Sequence, residues 1–402
     1  MRRFICVLMV FAMTGAMLCG CGSKIDPDEK RYAFVGTEET EKTVTGEQSL
    51  AGLQAAADAR PCRMTKYGPE TDEKKDPWKG TMKTAVKDGA KIVVCIGDEM
   101  KDAVLAAQDA HKKTKFVLIE GEGGTVKADG KETQESASSD ASADTKTADS
   151  SEEGTVAPEK APEESAESKK ETEEAAPEFH ENACTVTLSQ REIGFLIGYV
   201  LVADGYNDLG FMGGEETPAE TERALGFLAG CDRAAQDLAM PTGSVHIRYC
   251  MTGDDLLNPQ KMERAMQWYE NGTQVIYAPA DGVRRSVVKG AETTSFGYVA
   301  GSGEKDVLEE SSRILVCALT DYAAAVRNIV GNFENDAFPG GESITYGISD
   351  GCINLSADYM RFRSFNTTAY QVLLSNISKG TIKIDDRDLR GGGVVLVVES
   401  ES

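Results

Sequence analysis

AKIVVCIGDEMKDAVLAAQDAHKKTKFVLI, residues 90–119, is the stretch of sequence that decides the fold. An apolar run over 90–97 ends at a glycine that is followed by Asp98, and the segment 98–112 carries its apolar residues on one side, as a helix would. A second apolar run, 115–119, comes next. Strands that are apolar throughout and alternate with helices predict a parallel sheet covered by helices on both faces, which is an α/β fold.

The same alternation of strand and helix continues over most of the chain. Upstream, a strand is predicted at 31–36, before helices at 49–59 and 81–88. Downstream, Ser189 and Glu192 have the spacing of a capping box at the start of a helix. Further strands, separated by helices, are predicted at 209–214, 244–249, 274–279, 295–300, 314–319, 343–348 and 394–398. The pattern predicts two α/β lobes of similar style.

An acidic stretch of low complexity, 122–182, lies between the two α/β regions. It is rich in Ser, Ala, Thr, Glu and Lys, and its 18 acidic and 6 basic residues give it a net charge of −12. Such a composition buries too little apolar surface to offset the entropy lost on ordering, so we expect disorder there. We assign 31–121, with part of 314–340, to a first lobe, and 183–313, with part of 341–402, to a second.

The first residues have the pattern of an export signal that ends at a lipid-attachment site. Two arginines precede a 15-residue apolar run, Phe4–Leu18, which is short for a span across about 30 Å of hydrocarbon. Because Leu18-Cys19-Gly20-Cys21 resembles a bacterial lipobox, we expect residues 1–20 to be cleaved and Cys21 to carry the acyl chains, with 21–30 as a tether. The expected location is the extracytoplasmic face of the cell membrane. The alternative is an ordinary secretory signal with a chance cysteine.

The overall charge and the cysteine pattern argue against several classes of function. A net charge of −23, without clusters of Lys and Arg, argues against binding to nucleic acid. Seven cysteines follow Cys21, an odd number without a Cys-x-x-Cys pair, so a complete set of disulfides within the chain is excluded. The three histidines, at 111, 180 and 246, share no ligand spacing, and we expect neither a metal site nor a cofactor.

Candidate ligand-binding residues are sought after the strands, because ligands of open α/β sheets bind at the carboxyl ends of the strands. These candidates are Thr37, Glu38, Gly97, Asp98, Asp254, Asp255, Asp281 and Gly282, joined by Tyr298 from the strand predicted at 295–300. Carboxylates accept hydrogen bonds from hydroxyl and amine groups, and a tyrosine ring can stack on a planar ligand. Each aspartate could equally cap the next helix, and for the tyrosine packing in the core is the favoured alternative.

Several stretches match a known family in their order and spacing, although none of them is specific alone. They include AVKDGAKIVVCIG at 85–97, KFVLIEG at 115–121 and EIGFLIGY at 192–199, followed by 209–214, 226–230, 268–276, 338–342, 350–351 and 361–362. Together they resemble the basic membrane protein family, lipoproteins that act as solute-binding subunits of ABC importers. The resemblance implies a type I periplasmic-binding-protein fold, with two Rossmann-like lobes joined by three crossover strands around a ligand cleft. It also implies a permease and an ATPase as partners.

The motifs with which several members of that family bind purine nucleosides are altered here. Glu41–Gly46 stands where those members have Asp-Lys-Ser-Phe-Asn, whose Phe stacks on the base. Asp254 and Asp255 replace a second aromatic, and 297–301 reads GYVAG where a carboxylate would meet the ribose. Because stacking on an aromatic contributes about 1–3 kcal/mol per base in other settings, we do not expect tight nucleoside binding.

Three classes of function are considered. The first is a monomeric receptor that captures a small polar solute, for which the carboxylates favour a hydroxylated or cationic compound. The second is a degenerate, non-transporting lipoprotein that acts as a scaffold or sensor, which the altered motifs and the acidic stretch also suit. An enzyme is not expected, because the chain has neither a Ser-His-Asp order nor a Gly-x-Ser-x-Gly elbow.

Overall fold

The structure, a computed structural model, describes residues 30–69, 77–119, 179–303, 307–356, 361–384 and 396–400. The predicted signal at 1–20, the predicted lipid-attachment site Cys21, the predicted tether up to residue 29 and the acidic stretch as far as residue 178 lie outside these ranges.

Six parallel strands form the first sheet. They are β1 Lys30–Val35, β2 Cys62–Tyr67, β3 Ala90–Ile96, β4 Lys115–Ile119, β5 Ala183–Leu188 and β11 Ser343–Tyr346. Their spatial order is β11-β5-β4-β3-β1-β2, and every neighbouring pair is parallel. The carboxyl ends of all six strands therefore lie at one edge of the sheet.

Seven strands form the second sheet. They are β6 Asp208–Gly213, β7 Val245–Met251, β8 Val275–Tyr277, β9 Tyr298–Gly303, β10 Ile314–Thr320, β12 Ile353–Leu355 and β13 Leu396–Ser400. The order is β12-β10-β9-β8-β6-β7-β13, and only the edge strand β12 runs antiparallel to its neighbour.

Helices cover both faces of each sheet. The first lobe consists of the first sheet with α1 Val44–Asp58, α2 Pro77–Lys87, α3 Lys101–Ala110 and α9 Tyr322–Glu334. The second lobe consists of the second sheet with α4 Gln190–Ala203, α5 Pro218–Asp237, α6 Pro259–Glu270, α7 Asp281–Thr293, α8 Val307–Glu310 and α10 Thr367–Ser378. In β1, Phe34 enters the core beneath α1 and α9, whereas Val35 enters the core beneath α2 and α3. The predicted α/β fold is confirmed, and the strands are apolar throughout because both of their faces are buried.

The chain passes between the lobes three times. It crosses at Ser189 between β5 and α4, at Asp321 between β10 and α9, and over 347–352 between β11 and β12. The Ser189 amide donates to the Tyr346 carbonyl at 2.9 Å, and the Asp321 amide donates to the Cys352 carbonyl at 2.8 Å, so the connections lie side by side. This connectivity is that of a type I periplasmic-binding-protein fold.

The predicted lobe boundaries differ from the strand pairing in two places. β5 falls at the start of the range assigned to the second lobe, but it pairs with β4 and β11 in the first sheet. β10 falls beyond the predicted end of the second lobe at residue 313, but it pairs with β9 in the second sheet. Each strand directly precedes a crossing, and the strands of the two sheets have the same apolar composition, so composition could not show where the chain changes lobe.

Order also begins earlier than predicted, because Phe179–Asn182 belong to the folded first lobe. The Asn182 side chain is 3% exposed, and its Nδ2 donates to the carbonyls of Gln108 at 3.0 Å and Thr114 at 3.3 Å. Phe179 packs against the core beneath α2 and α3. The expectation of disorder up to residue 182 is therefore wrong for these four residues, which have specific partners.

The seven cysteines after Cys21 are thiols in the structure, and all except the half-buried Cys62 are buried. Cys95 and Cys317 lie in β3 and β10 with no exposed surface, where they act as small apolar core residues. Burial raises the pKa of Cys184 and that of Cys352 to about 12, so both thiols stay protonated near neutral pH.

Candidate functional site

The first lobe places two candidate loops at the carboxyl edge of its sheet. After β1, the Thr37 hydroxyl accepts from the Thr40 amide at 2.9 Å, and the Thr40 hydroxyl accepts from the Thr37 amide at 2.7 Å. These reciprocal hydrogen bonds stabilise the turn before α1, so the Thr37 hydroxyl is already bonded within its own loop. The neighbouring Glu38 is exposed, and its carboxylate has no hydrogen-bond or ion-pair partner within the described part of the chain.

The second loop of the first lobe follows β3. Gly97 has a φ of 104°, a conformation that favours glycine, and its amide donates to the Ile119 carbonyl at the end of β4 at 3.1 Å. Asp98 begins a single 3₁₀ turn without capping it, and its exposed carboxylate likewise has no partner among the described residues. Glu38 and Asp98 thus follow adjacent strands with carboxylates that are available to a ligand.

In the second lobe, three loops after β6, β7 and β8 pack tightly on one another. Asp255 Oδ1 accepts from the Glu215 amide at 2.9 Å, and a Cβ on Gly214 would lie 1.6 Å from that oxygen. A Cβ on Gly282 would lie 2.1 Å from the Asp255 carbonyl oxygen and 2.6 Å from the Leu257 amide nitrogen. The glycines at 214 and 282 therefore make room for the chain's own loop.

Asp254 is engaged by a buried lysine. Its Oδ1 accepts from Lys261 Nζ at 2.5 Å and from the Leu256 amide at 2.8 Å, and the Lys261 side chain is only 5% exposed. The hydrogen bond from Lys261, supported by that from Leu256, lowers the pKa of the Asp254 carboxyl below its ordinary value. Because the same ammonium also donates to the Leu256 carbonyl at 2.8 Å, Asp254 holds the β7–α6 loop together.

Asp281 is engaged by a buried arginine. Arg284, whose side chain is 3% exposed, donates from Nη2 to Asp281 Oδ1 at 2.5 Å and to Glu310 Oε1 at 2.9 Å. A Cβ on Gly301 would lie 2.8 Å from Arg284 Cδ, so this glycine leaves space for the arginine stem. An arginine at a helix start is usually solvated, but Arg284 is buried because the fold brings Glu310 and Gly301 near it.

Tyr298 does not lie at the ligand-binding edge of the sheet. β9 starts at Tyr298, three residues later than the predicted strand, because Gly297, with a φ of 121°, is in the preceding bend. The Tyr298 ring lies at the amino edge of the second sheet and packs against the core. It is edge-on to the Tyr206 ring, with 6.4 Å between the ring centroids. The expected stacking role of Tyr298 is therefore wrong, and the core alternative applies.

A buried polar cluster behind the second-lobe loops was missed by sequence reasoning. Glu220 and Arg223 of α5 form an ion pair at 2.8 Å with side chains 7% and 8% exposed, and Arg223 also donates to Gln190 Oε1 at the first crossing. Glu220 accepts from the Gly214 amide at 3.3 Å, and Tyr277 shares a 2.7 Å hydrogen bond with Ser302 at the ends of β8 and β9. A Glu and an Arg three residues apart just after a Gly-Gly pair were the only signal in the sequence.

The described ranges offer no obvious centre for a metal. No three His, Cys, Asp or Glu side chains within them are grouped as metal ligands would be. Nor does any helix in those ranges have both the length and the apolar character needed to cross a bilayer.

Residues 160–387 match the family described as ABC transporter substrate-binding protein PnrA-like. The chain belongs to this family. The match covers more than half of the chain and includes the whole of α4 to α10, and thus most of the second lobe.

A curated relative of this PnrA-like protein is the ABC transporter nucleoside-binding protein BmpA of Lactococcus lactis subsp. cremoris. It is 24% identical over 196 residues, which are 44% of this chain and 54% of the relative. The chain thus spans about half the length of the curated relative that it matches.

Three solved structures share the fold. A solute-binding protein of an ABC transporter system from Conexibacter woesei has a TM-score of 0.54 at 13% identity, covering 89% of this chain and 99% of its own. A solute-binding protein of an ABC transporter system from Aeropyrum pernix K1 has a TM-score of 0.50 at 13% identity, and the match covers 91% of this chain and 98% of that protein. A transcriptional activator of the comK gene from Bacillus halodurans has a TM-score of 0.56 at 12% identity, and the match covers 89% of this chain and 98% of that protein. At such identities the likeness establishes the fold alone.

Proposed function

We propose that this chain is the solute-binding lipoprotein of an ABC importer, working as a monomer on the extracytoplasmic face of the cell membrane. Membership of the PnrA-like family and the two-lobed connectivity support the receptor role. The lipobox-like sequence ending at Cys21 supports the anchor. A permease and an ATPase are the partners that such a receptor would serve.

The single observation that carries the proposed site is that two candidate carboxylates, Glu38 and Asp98, are exposed and without partners among the described residues, in the loops after the adjacent strands β1 and β3. Ionised carboxylates only accept hydrogen bonds, and they repel anions. The solute that we propose is therefore small and hydroxylated or cationic. The replacement of both stacking aromatics argues against a nucleoside as the preferred ligand, although the name of the Lactococcus relative records nucleoside binding by that protein.

Thermal unfolding in the presence of nucleosides, sugars, amines and organic anions tests this proposal. A solute present at a hundredfold excess over its Kd should stabilise the protein by about 2.7 kcal/mol, and anions should not. Asp98→Asn should reduce the shift, whereas Asp109→Asn, an exposed acid at the far end of α3, is the matched control. No shift from any class, together with no small molecule retained in native mass spectrometry, would contradict the receptor role.

The anchor is tested separately through Cys21. The wild-type protein should partition with membranes and carry the added mass of acyl chains, and Cys21→Ser should release it. Cys19→Ser is the neighbouring control, because it leaves the lipobox cysteine intact. An unmodified Cys21 in membrane-bound protein would refute lipid anchoring without bearing on solute binding.

A scaffold or sensor is the second candidate function, and one observation favours it. Asp254, Asp255 and Asp281 all have partners within the second lobe, so the candidate acids of that half of the site are already engaged. A protein that binds no solute in the panel but still requires its intact second lobe for activity in cells would support this alternative.

A further inference from the structure

The third crossing, residues 347–352 (termed the hinge turn), is a compact unit. The Cys352 amide donates to the Gly347 carbonyl, and the Gly351 amide donates to the Ile348 carbonyl, each at 3.1 Å. Asp350 Oδ2 accepts from the Gly347 amide at 2.9 Å. Because these hydrogen bonds lie within the segment, the hinge turn is a structured unit and not a flexible linker.

The hinge turn belongs to the cores of both lobes. Tyr346, just before the turn, and Cys352, at its end, are buried in the first-lobe core. Ile348 within the turn and Ile353 just after it are buried in the second-lobe core. Any movement of one lobe against the other must therefore act on this segment.

Glu192 holds the hinge turn from the side of the second lobe. It lies in the first turn of α4, and its Oε2 accepts from the Ile348 amide at 2.6 Å. In an ordinary capping box this carboxylate would bond back to the Ser189 amide, but that amide donates to the Tyr346 carbonyl instead. Burial raises the pKa of Glu192, the Ile348 bond opposes that rise, and Asp350, the titratable group that faces it, adds to it.

The packing around Gly347 shows how closely the carboxylate fits. A Cβ on Gly347 would lie 2.3 Å from Glu192 Oε2, although the φ of this glycine is not in the positive region that disfavours other residues. The side-chain carboxylate of Glu192, and not backbone strain, is therefore what requires a glycine here.

The first lobe holds the same turn from the opposite side. Asn328 of α9 donates from Nδ2 to the Asp350 carbonyl at 3.1 Å. The hinge turn is thus held between a carboxylate fixed to the second lobe and an amide fixed to the first.

We propose that Glu192 is the positioning residue that clamps the hinge turn, one of the three segments that join the lobes, to the second lobe. With the clamp in place, bending is confined to the steps on either side of the turn, between Tyr346 and Gly347 and between Cys352 and Ile353, where the chain passes between the two cores. Without it, bending spreads along the turn and the lobes sample a wider range of separations. This inference extends the proposed receptor function, but its test needs no solute.

The test measures the distance between the lobes in the full-length protein. Spin labels are attached through unnatural amino acids at Lys101 of α3 and Lys289 of α7, both exposed, so that the buried thiols are left untouched. Glu192→Ala removes the acceptor, Glu192→Gln keeps an oxygen acceptor, and Asn328→Ala releases the opposite side. Glu222→Ala is the control, because Glu222 pairs with Arg191 at 2.7 Å between α4 and α5, entirely within the second lobe.

Glu192→Ala should broaden the distance distribution, with about a tenfold gain in the population outside the wild-type range, as expected for loss of a charge-assisted hydrogen bond. Asn328→Ala should broaden it too, Glu192→Gln should restore most of the wild-type width, and Glu222→Ala should leave it unchanged. Amide exchange at Ile348 should speed up by a similar factor in Glu192→Ala only.

An unchanged distribution in Glu192→Ala, or equal broadening in Glu222→Ala, would overturn the clamp. Either result would leave solute binding untouched. Conversely, if the protein binds no solute but shows the predicted broadening, the proposed role of Glu192 would stand and the proposed receptor function would be wrong.

Discussion

The candidate acids that follow the strands of the two sheets differ in state between the lobes. In the first lobe, Glu38 and Asp98 are exposed and have no partner within the described residues. In the second lobe, Asp254 and Asp281 are each held by a buried cation, and Asp255 accepts from a neighbouring loop. An acid that directly follows a strand therefore lies at the carboxyl edge of the sheet, but the surrounding loops decide whether its carboxylate is available to a ligand.

The largest expected effect comes from Arg284, which holds Asp281. Arg284→Ala should lower the free energy of unfolding by about 3 kcal/mol, near the low end for a broken buried ion pair, because both carboxylate partners remain partly exposed to water. Its exposed neighbour provides the control: Arg285→Ala should change stability by less than about 0.5 kcal/mol. Urea unfolding measures both, and equal effects would show that the second-lobe ion pair is not structural.

The contact between Gly214 and Asp255 allows a rescue experiment. Gly214→Ala should destabilise the fold by about 2 kcal/mol, because the added methyl overlaps the Asp255 carboxylate. Combining it with Asp255→Ala should recover much of that loss, since the clash is with a side chain. Gly282→Ala combined with Asp255→Ala should show no recovery, because Gly282 faces backbone atoms. If the stability losses of Gly214→Ala and Asp255→Ala simply added in the double variant, the proposed overlap between the two residues would be contradicted.

For the first lobe, the expected effect is on binding and not on stability. Asp98→Asn and Glu38→Gln should each weaken affinity for the proposed solute about tenfold or more, the usual range for one hydrogen bond to a charged group. Both should leave the free energy of unfolding within about 0.5 kcal/mol of wild type. Isothermal titration and urea unfolding on the same samples separate the two effects. Stability losses in these variants would mean that the first-lobe acids are structural as well.

The smallest effect is a pH dependence assigned to Asp254. Lys261 lowers the folded-state pKa of this carboxyl below its ordinary 3.8, so its contribution to stability is present above that pH and is lost as the pH falls through the folded-state value. Asp254→Asn should remove this part of the acid sensitivity. So should Lys261→Met, although that variant will also be less stable at neutral pH. Thermal unfolding in steps down from about pH 6 compares the slopes, and identical slopes in all three proteins would exclude the assignment.

The elements that sequence reasoning found and missed differ in burial. β3, β4 and β10 are buried on both faces, so each is a continuous apolar run and was predicted nearly to the residue. β2 is an edge strand whose residues are half-buried or exposed, and CRMTKY has no such run. β9 was placed three residues too early, because glycines at 301 and 303 conceal its true end. That shift moved Tyr298 to the wrong edge of the sheet.

The strand-end positions of the candidate residues were predictable from the sequence, but whether their side chains have partners was not. Glycine and aspartate after an apolar run mark a strand end in any α/β sequence, which is why Gly97, Asp98 and Asp281 were correctly located. Lys261 and Arg284 gave no comparable signal, because a cation on a helix is usually solvated. Their burial depends on the loops and on Glu310 folding over them.

The sequence by itself determined the α/β architecture and its family, because both depend on local apolar runs and on the order of short motifs along the chain. It also determined which acids stand at strand ends. Only the tertiary structure decided in which lobe β5 and β10 lie, which of those acids are neutralised, and that Glu192 reaches the hinge turn. The lobe of each strand and the Glu192 contact depend on atoms far apart in the chain, such as those of Glu192 and Ile348, that come within bonding distance only after the lobes have folded. The acids are neutralised by cations close to them in sequence, but those cations are buried only in the folded lobe.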